Sequence, residues 1–347
     1  MKILISNENK NAHYYIRLGH ARAFTACGHE CILWDINSKS PYDAFDSFNP
    51  DIFWGQTYNL NDATIQCIEE RPHMRVILRA PDRGELANEV SAKYPILTAT
   101  KKEIDLVNQL RDRTGKPDFL HCHYIQESIN KTHSGWIQDG FNVVSMLNGA
   151  DLFDFYNGQH QEQYASDLCF VGGRWGYKSI NLDPYITKLC EDPKYNIKIF
   201  GNQPWGIRQY CGFLPSSEIK NALSSAKICP NIHEPHSNAY GYDIVERPFK
   251  LLSNKCFVIS DYVEDLVKLI PDGIIYTRTP EEFHNKINYY LENEEEKNSV
   301  MDNGHKIVMN NHTYFHRTAN IFNKLGLIQH SNKVLEVYNE KFNNDNR

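Results

Sequence analysis

Glu246, Arg247 and Lys250 lie in the run ICPNIHEPHSNAYGYDIVERPFKLLSNKCFVISDY, residues 228 to 262. Its apolar ends and polar middle read as a buried strand, a loop, a helix opening and a second buried strand. At a helix start, free backbone N–H groups and the helix dipole attract an anion, so this spacing predicts a site for a phosphate-bearing ligand. Glu246 and Lys250 are four apart and share a helix face, where a carboxylate and an ammonium can touch different parts of one molecule. The competing reading is a plain surface ion pair, worth about 1 kcal/mol or less.

Two other predicted strand ends carry matching chemistry. Gly172 and Gly173 follow the apolar run DLCFV and precede Arg174 and Lys178. Glycines there let the backbone approach a ligand, and the two cations can neutralise phosphate. Gly201 and Asn202 follow NIKIF in the same way. Beyond the next strand stand His233, Glu234 and His236; their spacing matches no established metal site, so Glu234 or His236 is expected to contact the ligand instead. Taken singly, each glycine turn is an ordinary turn.

Proton-transfer candidates lie in the first half. Asp82 sits in RVILRAPDRG at the end of a predicted buried strand, with Arg83 beside it. It can act as a base, or simply cap its own turn. His13 and His20, on the first predicted helix, are the alternatives, because imidazole titrates near neutrality.

The elements that position these residues alternate strand and helix throughout, the mark of parallel sheets covered on both faces. MKILIS, a helix over 14–27 stopped by Gly28, and CILWDI open the chain; strands near 51–54, 75–78, 119–123 and 142–146 follow. The stretch from 147 to 166 lacks a period and reads as the hinge. The second half repeats the pattern, with IIYT as an edge strand, helices over 185–190, 218–225, 281–291 and 294–309, and a helical tail. The expected organisation is one α/β domain over 1–160, a second over 161–320, and a C-terminal helix over 321–347. Ligands in such folds sit at the carboxyl ends of the strands.

Nine cysteines, an odd set with no CxxC pair, indicate neither a disulfide framework nor a zinc knuckle. No apolar run spans a bilayer and the start turns polar at once, so the expectation is a cytoplasmic protein, in the host cytoplasm if the chain is viral. The net charge of −6 gives no general attraction to nucleic acid or anionic membrane. Arg71, Arg75, Arg79 and Arg83 nonetheless put four arginines within 13 residues, a rim that could track phosphates. Residues 1–160 hold 16 basic against 20 acidic side chains, so the competing reading is a charge-balanced surface.

The order FVGG, KIFGN, KICPNI, YDIVERPFKLLSNKCFVISDY, TPEEFHNKINYYL and HTYFHR resembles the C-terminal domain of GT-B glycosyltransferases over residues 167 to 317, most closely the spore-maturation-protein-like group. The resemblance implies two Rossmann-like domains facing a central cleft, with a nucleotide-sugar donor, a UDP-sugar, held by the second. Arg247 and Lys250 would bind its diphosphate, with Glu246 near the ribose. Lys250 stands where the RxFE form of the motif has a ribose-binding glutamate, which leaves Glu246 as the nearest carboxylate. The Gly-Gly turn, IFGN and VERPFK also resemble the phage DNA β-glucosyltransferases, whose general base is an aspartate followed closely by arginine; RAPDRG offers Asp82 for that role.

An inverting transferase needs a base at the acceptor hydroxyl and cations on the leaving diphosphate; Asp82 and Arg174, Arg247 and Lys250 supply them with no metal or other cofactor required. If configuration is retained, Asp82 only positions the acceptor. The acceptor is expected to be a glycan, a small molecule, or duplex DNA carrying a hydroxymethylated base. A nucleotide-sugar epimerase and a non-catalytic nucleotide-sugar-binding protein are the alternative readings.

Overall fold

The computed structural model describes residues 1–8 and 12–343, apart from the side chain of residue 343. It divides into two compact units, residues 1–147 with 314 onward, and residues 148–313.

The first unit carries six strands: β1 (Lys2–Asn7), β2 (Glu30–Asp35), β3 (Ile52–Gln56), β4 (Arg75–Arg79), β5 (Phe119–Cys122) and β6 (Val143–Ser145). They lie in the order β2-β1-β3-β4-β5-β6, with every pairing parallel. The central strands are apolar nearly throughout because helices cover both faces. Leu4, Phe53, Val76, Leu78 and Leu120 join one core with Trp136. Helix boundaries follow local chemistry. Thr100 and Glu103 close a capping box on the helix Lys101–Thr114, and Gly28, at φ 83°, terminates the first helix, Ala12–Ala26.

The second unit holds β7 (Ser166–Val171), β8 (Ile197–Phe200), β9 (Ala226–Asn231), β10 (Val258–Asp261) and β11 (Ile275–Thr277), in the order β11-β10-β9-β7-β8. These pairings are parallel too, and β11 is at the edge as its shortness predicts. In each sheet the first strand lies between its two successors, so the connections leave to opposite sides there. That reversal, between β1 and β3 and between β7 and β9, opens a crevice at the strand ends.

Three local expectations need correction. The helix expected to contain 185–190 is not one α-helix: the α-helix Gly176–Leu182 is followed by a π-helical turn at Asp183–Thr187 and a 3-10 turn at Leu189–Glu191. Pro184 has no N–H to continue the α ladder. The unit boundary lies at 147/148 rather than 160. Ala150 N–H donates to His312 O (2.9 Å), Ser253 Oγ–H to Phe155 O (2.7 Å) and Gly158 N–H to Asn254 Oδ1 (2.9 Å), tying this segment to the second unit. The tail changes unit at 313/314, earlier than 320, because the Tyr314 ring lies against Gly19 and 4.4 Å from the His20 ring. It forms two helices, Tyr314–Lys324 and Ile328–Tyr338, joined through Gly326 at φ 73°.

Candidate active site

In the second unit the glycine turns meet backbone to backbone. Gly172 N–H donates to Phe200 O (2.8 Å), and a Cβ on Gly201 would stand 2.6 Å from Gly172 O. Trp205, packed on Phe170, donates its indole N–H to the same carbonyl (3.1 Å). A Cβ on Gly172 would stand 2.8 Å from Arg247 Nη2, so glycine is what lets the guanidinium lie along this backbone. Asn202 borders the turn, with Oδ1 3.6 Å from where a Cβ on Gly173 would be.

Arg247 reaches the β7/β9 crevice over the face of Phe170 (4.6 Å) and donates to Ile232 O (3.3 Å). Lys178, in the first turn after the glycines, is buried with its ammonium 4.8 Å from the Trp175 ring centre. Among the described residues neither cation has an ion-pair partner within 4 Å. Burial pushes Arg247 down to about 10 against the opposing pull of Asp261, Glu234 and Glu246. Lys178 is lowered to about 7, by burial first and by Arg247 second. The Glu234 carboxyl is raised by burial, with Lys178 opposing. The site therefore holds two cations in dry surroundings with their carboxylates set back, an arrangement that an anion between them completes.

The other sequence-predicted cations are already answered. Arg174 makes a two-pronged pair with Asp183, Nε to Oδ1 at 2.7 Å and Nη2 to Oδ2 at 2.6 Å. Lys250 pairs with Glu246, both mostly buried, and lies over Phe155 (4.7 Å). The helix they open, Arg247–Ser253, has seven residues and carries Pro248 in its first turn, so one of its free N–H groups is missing. Anion binding here rests on side chains rather than on the helix end.

The His233, Glu234, His236 trio diverges. His233 donates Nδ1–H to Asp261 Oδ1 (2.6 Å), whose Oδ2 takes the His233 backbone N–H (2.8 Å). His236 donates Nε2–H to Asp243 Oδ2 (2.9 Å) and accepts the Tyr177 hydroxyl on Nδ1 (2.9 Å), which commits both ring nitrogens. Of the three, Glu234 is left facing the cations. Among the described residues no three His, Cys, Asp or Glu side chains converge as a metal site. Asp261 is the residue that sequence reasoning passed over; its signal is an acid closing the apolar run CFVISD.

In the first unit Asp82 is buried just beyond β4 and accepts the Tyr124 hydroxyl on Oδ1 (2.7 Å). Its loop is rigid. Asp82 bridges to Thr98, Trp136 donates to Pro81 O (2.9 Å), and Arg83 pairs with Asp139 (2.6 Å). His20 is buried between Trp54 and Tyr314, and burial followed by Arg17 holds it well below the usual imidazole range. His13 Nδ1 accepts from Arg79 (3.1 Å). The expected arginine rim does not form as a set, because Arg71 pairs with Asp46 and Arg75 with Asp118, as Arg83 does with Asp139.

Comparison with known proteins agrees with this layout. Residues 183–323 match the family model described as glycosyl transferase-like. HepE of Anabaena, solved in complex with UDP, has a TM-score of 0.60 at 10% identity over 94% of this chain and 100% of that one. The chain has the GT-B glycosyltransferase fold. An alpha-glucosyltransferase in complex with UDP and a 13-mer DNA containing a HMU base shares that GT-B fold, with a TM-score of 0.64 at 10% identity over 94% and 99% of the two chains. So does a mutant of T4 phage BGT in complex with UDP-glucose, at 0.53 and 13% over 97% and 99%. No curated protein sequence matches the chain. Among the described residues of this GT-B chain, no helix is long and apolar enough to cross a membrane.

Proposed function

We propose that this chain is a glycosyltransferase that moves a sugar, a hexose, from a UDP-sugar to an acceptor hydroxyl. The observation that carries the reading is the couple of half-buried Arg247 and buried Lys178, neither ion-paired among the described residues, beside Gly172 and Gly173 at the β7/β9 reversal. A diphosphate fits its charge and its backbone clearance. As the bond from the sugar to the diphosphate breaks, negative charge grows on the leaving oxygen, and fixed cations stabilise that charge more than they stabilise the ground state. Arg247 and Lys178 are assigned to this task, with Glu234 at the sugar and the Glu246–Lys250 pair holding the loop behind it. Asp82, oriented by Tyr124, is assigned as the base that takes the acceptor proton in an inverting transfer. UDP and UDP-glucose in the complexes of the structural neighbours support the donor class.

A glycan or small molecule is the favoured acceptor over duplex DNA, even though one neighbour was solved with DNA. Three of the four clustered arginines are neutralised within the first unit and cannot release counterions from a phosphate backbone. The test is a thermal-shift screen with UDP, GDP, ADP, TDP and CDP on the native chain and on Arg247→Ala, followed by transfer from labelled UDP-glucose. A rise with UDP alone that disappears in the variant supports the reading. No rise with any diphosphate refutes it.

A further inference from the structure

The carboxyl ends of β1, β3, β4 and β5 gather positive charge that no acid among the described residues pairs with. Arg17, on the inner face of the first helix, is 3% exposed, and its guanidinium lies 4.9 Å from the Trp54 ring centre. Its Nη1 has no hydrogen-bond partner among the described residues. Arg79, the last residue of β4, holds His13 by Nη1–H to Nδ1 at 3.1 Å. On β5, His121 accepts the Trp54 indole N–H on Nε2 (2.7 Å), so its own proton is on Nδ1, which is buried without a partner. Just beyond β5, His123 donates Nδ1–H to Met146 O (2.9 Å).

These groups act on one another. Burial is what lowers Arg17, His121 and His123 first; Arg17 and Arg79 lower both imidazoles further, and Arg17 is also lowered by Arg79 while the phenols of Tyr58 and Tyr314 raise it. No carboxylate of the described residues acts on Arg17, His121 or His123. An arginine taken out of water without a counter-ion is expensive, so folding alone gives no reason for Arg17 to be there. These groups lie at the β1/β3 reversal, where folds of this kind bind ligands.

We propose that this cluster binds a terminal phosphomonoester carried by the acceptor substrate. The guanidinium groups of Arg17 and Arg79 and the Nδ1–H of His121 present donors from several directions, which suits three phosphate oxygens better than the two of a carboxylate. Burial selects a terminal group, since an internucleotide phosphate is flanked by sugars on both sides and cannot approach a guanidinium that is 3% exposed. The word acceptor rests on the glycosyltransferase reading; the oxyanion site does not.

Thermal-shift and calorimetric titrations with inorganic phosphate and with phenyl phosphate, in an anion-poor buffer, test the site on the full chain, Arg17→Met, Arg79→Gln and Arg247→Ala. Both probes are expected to bind the native chain and Arg247→Ala alike, and to bind Arg17→Met about 30-fold or more weakly. UDP binding by Arg17→Met should persist, which separates this site from the donor site and shows that the variant folds; Arg79→Gln serves if it does not. The proposal is overturned if phosphate binding survives in both Arg17→Met and Arg79→Gln, or if it is lost in Arg247→Ala instead. Displacement of phenyl phosphate by a plain 13-mer duplex with unphosphorylated ends overturns the terminal-ester assignment.

Discussion

Lys178 reports on the proposed donor site through its proton. Burial and Arg247 bring its ammonium from 10.5 down to about 7, with Glu234 and Asp261 opposing. At pH 8 roughly one free molecule in ten then carries that proton, and at pH 7 about half do. A diphosphate between Lys178 and Arg247 supplies the missing countercharge and returns the lysine toward its ordinary range. Binding should therefore take up ~0.9 proton per diphosphate at pH 8 and ~0.5 at pH 7. UDP has its own second phosphate ionisation near about 6, so it adds little at pH 8. The assay is calorimetric titration with UDP at pH 8 in two buffers of different ionisation enthalpy, where the difference in observed heat gives the protons exchanged. Lys178→Arg keeps the charge and should bind with uptake near zero. Binding by the native chain without proton uptake at pH 8 would refute the assignment of Lys178 to the phosphates. The ligand-free protein obeys the same linkage. The folded pKa lies below the unfolded one, so the native state binds fewer protons between about 7 and 10.5 and stability rises with pH across that window. Lys178→Met should flatten that rise in denaturant titrations at pH 7 and pH 9.

Four more outcomes follow from the geometry. Arg247→Ala should weaken UDP by about 2 kcal/mol or more, roughly 30-fold, in a calorimetric titration, with the fold retained by circular dichroism. Gly201→Ala places a methyl 2.6 Å from Gly172 O; it should cost about 1–3 kcal/mol of stability and lower UDP affinity as the two glycine turns separate, and an unchanged midpoint in urea would count against the packing described. Gly304→Ala meets Gly273 O at 2.4 Å and Leu252 Cδ2 at 2.7 Å, so it should lower the melting temperature by several degrees, and an unchanged melting temperature would count against this packing. Asp82→Asn should reduce the rate of transfer by about 10²- to 10⁴-fold with UDP binding intact; full activity would remove the base assignment.

Much of the candidate site can be read from order along the chain. Strands of parallel sheets are apolar on both faces, so DLCFV, IKIF, KICPNI and CFVIS stand out as runs, and the residues just after each run must lie on one rim. Gly172, Gly201 and Glu234 are legible for that reason alone. Arg247 is legible from its place after a buried strand and loop. The cations beside it are not separable by type. Arg174, Lys178 and Lys250 look alike in sequence, yet Asp183 neutralises the first and Glu246 the last, while Lys178 is left buried and unpaired. The arginines at 71, 75, 79 and 83 looked like one rim because they are close in number. Three of them turn to acids at 46, 118 and 139.

Arg17 was invisible for the complementary reason. In HYYIRLGH it reads as an exposed residue of a helix, and only the packing of that helix on Trp54 and Tyr314 takes it out of water. The alternation of apolar runs and helical periods determined the two α/β sheets and the strand ends at which ligands bind, because hydrophobic burial depends on a pattern that is local in the chain. Which charges remain unanswered there was decided only by the tertiary structure, because a Coulomb energy depends on distance in space and on the surrounding dielectric, and neither is a property of neighbours in sequence.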